Sequence, residues 1–318
     1  MIGLLELLAI GYAIFLAFLI AYSAWALTHP HRKTYAWAVA RGRPGDPSEL
    51  PGPERAFSVW NLDSRDRPLV VWDIRGDDPA GPTLILSHGW ADSRLGGLTR
   101  IPFLAPAASR LILWDVRGHG EAPGACHLGT TEVEDLLALV EAVGTEPGAD
   151  GANSGGSGIV LYGWSLGAGV SIAAAGRSAM VSGVIAEAPY RLAITPARNV
   201  MRGFRLPYRL NLRPAMWILG TLFGVGPGWR GFDRAALAAK LRFPLLILHG
   251  DQDAVCPVED ARGIAAAAGR AELVIVAGGG HNNLWTEPAF AAQCGGTARA
   301  FMAGISESPR GAAGTLKA

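Results

Sequence analysis

The chain has 318 residues, half of them apolar, with 28 basic and 27 acidic side chains giving a net charge of +1. That length and apolar share can bury a large core, and one domain of about 250 residues with appendages fits better than two equal domains. Nothing in the near-neutral balance points to nucleic acid or any other strongly charged partner, and no nucleic-acid partner is expected. Three cysteines, Cys126, Cys256 and Cys294, are odd in number and lack metal-ligand spacing, so they read as small buried thiols in a reducing compartment.

In chain order, residues 7–27 carry no charge and end near Trp25. Twenty-one helical residues at ~1.5 Å each span ~30 Å, the thickness of a bilayer's hydrocarbon core. Basic residues follow in His29-Pro30-His31-Arg32-Lys33, then Arg41 and Arg43. Three readings compete. A cleaved signal peptide would have a basic segment ahead of the apolar run, and here only the α-amino group and Glu6 precede it, although Ala24-Trp25-Ala26 mimics a cleavage site. A buried core helix is rarely apolar all round for so long. The favoured expectation is a retained anchor at residues 1–28, with the positive charges placing the rest on the cytoplasmic side.

Residues 29–55 read as a basic juxtamembrane segment and linker, the stretch 43–53 being rich in Pro, Gly and charge. From 56 to 304 the pattern becomes strand–helix alternation. Strands are predicted at 56–62, 68–74, 83–87, 111–115, 159–162, 183–187, 245–249 and 273–276. The first two flank a polar turn at 63–67 and suggest an antiparallel hairpin. The rest are short continuous apolar runs, as in strands covered on both faces of a parallel sheet. A helix is predicted at 131–143, with Glu132 and Glu134 near its start and Leu136, Leu137 and Val140 as an apolar face. The expectation is α/β: a doubly wound, mostly parallel eight-stranded sheet. Residues 144–158 read as a surface loop and 305–318 as a flexible tail. Residues 191–243 form an insertion much longer than an ordinary connection. It interleaves Phe204, Tyr208, Trp217, Phe223 and Trp229 with Arg198, Arg202, Arg205, Arg209 and Arg213, and is expected to be a helical cap over the site, resting on an anionic membrane surface.

Chemistry concentrates in Gly163-Trp164-Ser165-Leu166-Gly167, which follows the apolar run Ile159-Val160-Leu161-Tyr162 and precedes an Ala/Gly-rich helical stretch. The pattern Gly-x-Ser-x-Gly between strand and helix suits a sharp turn that lifts a serine hydroxyl clear of the backbone at a helix N-terminus. Alone, the motif is common in a glycine-rich chain. A serine hydroxyl needs a base, and the base a carboxylate to orient it. His281 follows the last predicted strand and the glycines Gly278-Gly279-Gly280, and is the candidate base. Asp253, in His249-Gly250-Asp251-Gln252-Asp253, is the candidate acid; Asp251 reads as a turn residue and Glu187 is a weaker second candidate. Each follows its own strand, and parallel strands open their C-terminal ends on one edge. For the oxyanion hole, the backbone N–H of Leu166 and that of Trp90, in Ser87-His88-Gly89-Trp90-Ala91, are the candidate donors.

The ordered set His88-Gly89-Trp90, Asp115-Val116-Arg117-Gly118-His119-Gly120, the Ser165 motif, the Asp253 loop and Gly280-His281-Asn282 resembles the α/β-hydrolase fold family over about residues 56–304. With the apolar N-terminus it is most similar to membrane-tethered Bem46-like serine hydrolases, from which the longer, arginine-rich insertion departs. The resemblance implies that residues 115–120 are a structural loop bordering the pocket. The expected activity is hydrolysis of a small, hydrophobic carboxylic ester or thioester with no cofactor and no metal. An amidase or peptidase with the same triad is one alternative, and a non-catalytic binding protein of the same fold is another.

Overall fold

The computed structural model describes residues 3–64, 68–145, 158–203 and 208–306. The tail 307–318, most of the loop 144–158, part of the turn 63–67, and Phe204 and Arg205 of the insertion lie outside the described residues. The strands are β1 Phe57–Leu62, β2 Leu69–Arg75, β3 Thr83–Ser87, β4 Arg110–Trp114, β5 Ile159–Trp164, β6 Val181–Glu187, β7 Leu245–Gly250 and β8 Ala271–Val276. The helices are α1 Leu4–Thr28, α2 Tyr35–Val39, α3 Ile101–Leu104, α4 Glu132–Thr145, α5 Leu166–Ala175, α6 Ile194–Gly203, α7 Leu212–Leu222, α8 Arg234–Ala238, α9 Val258–Ala267 and α10 Pro288–Ser306.

One eight-stranded sheet runs in the order β1-β2-β4-β3-β5-β6-β7-β8. Strand β2 is antiparallel to both neighbours, β1 and β4, and every later pairing is parallel. Strands β3, β4, β5 and β7 are buried along their whole length, which is why each reads as an unbroken apolar run. The sheet separates two apolar layers. Leu136, Leu139 and Val140 of α4 and Val170 of α5 pack on one face, and Leu104 of α3 and Ala298 and Met302 of α10 on the other.

The order reverses between β3 and β5, opening a crevice at the strand C-terminal ends. Ser165, Asp253 and His281 all follow strands on that edge. Helices α6, α7 and α8 lie in the long connection between β6 and β7. Arg198, Arg202, Arg209 and Arg213 of this connection are exposed, whereas Trp229 and Arg234 are buried.

The 43–53 stretch is more ordered than its composition suggests. Asp46 caps a short turn at Pro47–Glu49 by accepting from the Ser48 N–H, and Glu49 accepts from the Gly45 N–H at 2.8 Å and the Tyr35 hydroxyl at 2.7 Å. Local acidic side chains thus do what an apolar core does elsewhere. Helix α1 passes the length and composition test for a membrane span, as would a signal sequence, and its apolar residues from Leu4 to Phe18 stay largely exposed.

Candidate active site

Strand β5 ends at Trp164, and Ser165 turns the chain into α5 with φ 54° and ψ −110°. A serine rarely adopts positive φ, and such a conformation costs on the order of 1–3 kcal/mol unless the surroundings impose it. Here they do. A Cβ on Gly163 would lie 2.2 Å from the Gly167 oxygen, and one on Gly167 would lie 2.0 Å from the Ser87 oxygen. The Ser165 N–H donates to the Glu187 carbonyl at 2.9 Å, tying the turn to β6. The serine is 8% exposed, and Leu166, next in sequence, opens the helix. Leu166's N–H therefore belongs to the first turn, whose donors have no partner within a helix.

Across the crevice, His281 Nδ1–H donates to Asp253 Oδ2 at 2.7 Å. The other oxygen, Asp253 Oδ1, accepts from the N–H groups of Val255 at 2.8 Å and Cys256 at 2.7 Å. This fixes the carboxylate from both sides, and its side chain is fully buried while that of His281 is 14% exposed. Buried Cys256 sits beside the pair. Its sulfur lies within 4.8 Å of the facing atoms of Asp253 and His281. Sequence reasoning missed Cys256, although its place three residues after Asp253, where an acidic side chain often binds backbone N–H groups, was a usable signal.

The remaining candidates separate. Asp251 accepts from the Gly278 N–H at 2.8 Å, holding the glycine loop to the end of β7. Glu187 is engaged elsewhere: Arg100 donates to it at 2.7 and 2.9 Å, Trp285 Nε1–H at 2.9 Å, and the Tyr162 hydroxyl also donates to it. His249 also sits near Asp253, at 3.6 Å, but its Nε2–H donates to the Cys256 carbonyl at 2.8 Å and burial pushes its pKa down.

Asp253, Cys256 and His281 cluster as three metal-ligating types would. Their chemistry fits a proton relay better than a cation site. Both Asp253 oxygens already accept hydrogen bonds, and burial pushes the Cys256 thiol well up, keeping it protonated rather than a thiolate ligand.

The Gly89-Trp90 turn borders the serine, since a Cβ on Gly89 would come within 3.3 Å of Ser165 Cβ. Trp90 is half-buried, and its indole N–H donates to the Leu27 carbonyl of α1 at 2.9 Å. Beside it, Asp92 accepts from Lys33 at 2.8 Å and from the Trp164 indole at 3.1 Å. No local signal announces these contacts, because their partners are about sixty or seventy residues apart.

Two buried histidines support this loop. His88 donates from Nδ1 to the Gly89 carbonyl at 2.8 Å, while its Nε2 accepts from the Val116 N–H at 2.8 Å. His119 packs edge-on against His88, with ring centroids 5.0 Å apart. Burial above all pushes His88 down to about 4 and His119 down to about 3; for His119 the neighbouring His88 adds to it. Unfolded, both would titrate near 6.5, so the unfolded chain binds more protons below that pH. Stability is fully present above pH 6.5 and falls as pH drops toward 4, by up to about 1.4 kcal/mol per pH unit for each histidine. The expected result is a melting temperature that declines steadily from pH 6.5 to 4.5, before most carboxylates protonate. A flat profile across that window contradicts the neutral assignment.

The comparisons agree with this architecture. The Alpha/beta hydrolase family matches residues 84–293. The Pyrococcus furiosus esterase Pf2001 superposes with a TM-score of 0.65 at 20% identity, over 86% of this chain and 99% of that one. The esterase RhEst1 of a Rhodococcus species gives 0.56 at 22% identity, over 78% and 99%. The acylaminoacyl peptidase of Pyrococcus horikoshii gives 0.58 at 16% identity, over 83% of this chain and 43% of that one. No curated protein sequence matches the chain significantly. A match over well more than half of the sequence, on a sheet of this order with a serine at the sharp turn after β5, establishes that the chain belongs to the alpha/beta hydrolase family.

Proposed function

We propose that this protein is a membrane-anchored serine hydrolase that cleaves a carboxylic ester or thioester. The observation that carries the reading is the Asp253–His281 hydrogen bond of 2.7 Å, on the sheet edge where Ser165 sits on a strained turn. Ser165 Oγ attacks the substrate carbonyl carbon as its proton passes to His281 Nε2. Asp253 holds the imidazole with Nδ1–H toward itself and stabilises the imidazolium. The backbone N–H groups of Trp90 and Leu166 receive the oxyanion, each such donor lowering the barrier by about 3–4 kcal/mol. Collapse expels the alcohol or thiol, which takes the proton from His281, and leaves an acyl group on Ser165. Water, deprotonated by the same histidine, releases the acid. Every step uses the chain's own groups and water, with no cofactor.

The domain plan is residues 1–28 as anchor, 29–55 as juxtamembrane segment and linker, and 56–304 as hydrolase domain with its cap at 191–243. Retention of α1 is supported by its contacts with the domain. Ser23 accepts from Asn211 at 2.7 Å, Leu27 from Trp90, and the Thr28 carbonyl from the Cys126 N–H at 2.8 Å. The Arg32 guanidinium also donates to the Ala122 carbonyl at 2.7 Å. Arg32, Lys33, Arg41 and Arg43 after α1 favour a cytoplasmic domain and keep the Bem46-like comparison apt. Peptidase chemistry is a second reading, favoured by the likeness to an acylaminoacyl peptidase.

Matched p-nitrophenyl ester and anilide substrates test both. The ester is expected to turn over faster, and Ser165→Ala to lower turnover on the order of 10⁴-fold or more. Ser165→Ala activity within a few-fold of wild type would refute the assignment.

A further inference from the structure

Helix α7 packs against α1. On α1, Leu16, Leu19, Ile20, Ser23, Ala24 and Leu27 lose exposure along one stripe, and Ala26 and Thr28 at its C-terminal end do so as well. Residues 16–27 cover ~16 Å of helix, about the length of the 11-residue α7. A hydrocarbon core of ~30 Å takes up ~20 helical residues. Glu6 at one end and His29 at the other confine that core to roughly residues 7–27. A helix lying along the stretch from Leu16 to Leu27 therefore enters the same leaflet.

The outward face of α7 suits that environment. Leu212, Ala215, Met216 and Leu219 face inward, while Trp217 is 57% and Leu222 73% exposed, with Ile218 and neighbouring Leu210 also exposed. Exposed Arg209 and Arg213 sit at the start of α7, and Arg198 and Arg202 on α6, which packs against it. Apolar side chains with tryptophan, rimmed by arginines, match a helix lying in a lipid interface.

The same surface adjoins the active site. Trp90 touches Leu27, and Leu27, Leu166, Met216 and Cys256 belong to one continuous apolar cluster. We infer that α7 is immersed in the leaflet that holds the C-terminal end of α1, so that the active-site edge faces the bilayer and an ester with a long acyl chain enters from the lipid. The substrate part of this inference rests on the hydrolase reading.

The test uses the full-length chain in nanodiscs of phosphatidylcholine with phosphatidylglycerol. Cys126, Cys256 and Cys294 are buried, so an introduced cysteine takes a fluorescent label selectively. Labels at Leu222→Cys and at Ile10→Cys in α1 are expected to be quenched several-fold more by doxyl lipid than a label at Gly269→Cys, which lies at the opposite sheet edge. Quenching of the Leu222 label by aqueous iodide as strong as at Gly269 overturns the inference. So does shielding from both quenchers, which would mark a second copy of the chain on this face. Trp217→Glu with Leu222→Glu is expected to slow cleavage of a long-chain ester in the nanodisc about tenfold, while a soluble short-chain ester and fluorophosphonate labelling are unaffected. Equal loss on both esters contradicts delivery from lipid. Absence of labelling by fluorophosphonate in every form is failure of the hydrolase reading and removes the substrate claim with it. Aqueous quenching at Leu222 in a protein that still labels is failure of this inference alone.

Discussion

Asp253→Asn is expected to lower kcat by about 10⁴-fold with little change in stability. The carboxamide has the same shape, and the two N–H donors of Val255 and Cys256 continue to demand an acceptor at the Oδ1 position. The amide oxygen must stay there, which turns the NH₂ toward His281. Since NH₂ can only donate, His281 Nδ1 becomes an acceptor and its proton moves to Nε2. A histidine protonated at Nε2 cannot accept the serine proton, so the base is lost while the fold is kept. Steady-state kinetics on a p-nitrophenyl ester, with melting curves alongside, measure this. A kcat within tenfold of wild type would mean that Asp253 does not orient the base.

Arg100→Met is expected to cost about 3–5 kcal/mol of stability and to lower the melting temperature on the order of 10 °C. Arg100 is nearly buried and donates twice to Glu187, which is 2% exposed. Its guanidinium also stacks 4.0 Å from the centre of the Trp164 ring, directly before the serine. Removal leaves a buried carboxylate facing only the neutral donors Tyr162 and Trp285. The double variant Arg100→Met with Glu187→Leu removes the stranded charge and is expected to recover part of the loss. Differential scanning calorimetry of the three proteins decides it. An unchanged melting temperature in Arg100→Met would show that the pair is solvated in a way its burial does not suggest.

Much of this architecture is legible in the sequence where one local pattern carries the information. Strands β3 and β5 start where the apolar runs predict, because burial on both faces demands an unbroken run. Strand β4 starts one residue earlier, at Arg110, a charge that the run excludes but that pairs with Asp73 of β2 at 2.6 Å. Ser165, Asp253 and His281 are legible as candidates because each follows a strand in a short turn-rich loop. The predicted helix at 131–143 is α4, Glu132–Thr145.

What stayed hidden depends on partners distant in the chain. Composition marks residues 7–27 as apolar, and nothing local says that the end of that helix meets the Trp90 loop or that Lys33 meets Asp92. Cys256 reads as one more buried thiol until folding sets it beside Asp253 and His281. The commitment of Glu187 to Arg100, 87 residues away, is likewise a product of tertiary packing.

The central claim is that Ser165 is the nucleophile of a working triad, and its most direct test is covalent. Folded full-length protein is treated with a fluorophosphonate, digested and mapped by mass spectrometry. One adduct is expected, on the peptide carrying Ser165, absent in Ser165→Ala and much slower to form in Asp253→Asn. An unlabelled folded wild type, or an adduct on a different residue, would contradict it.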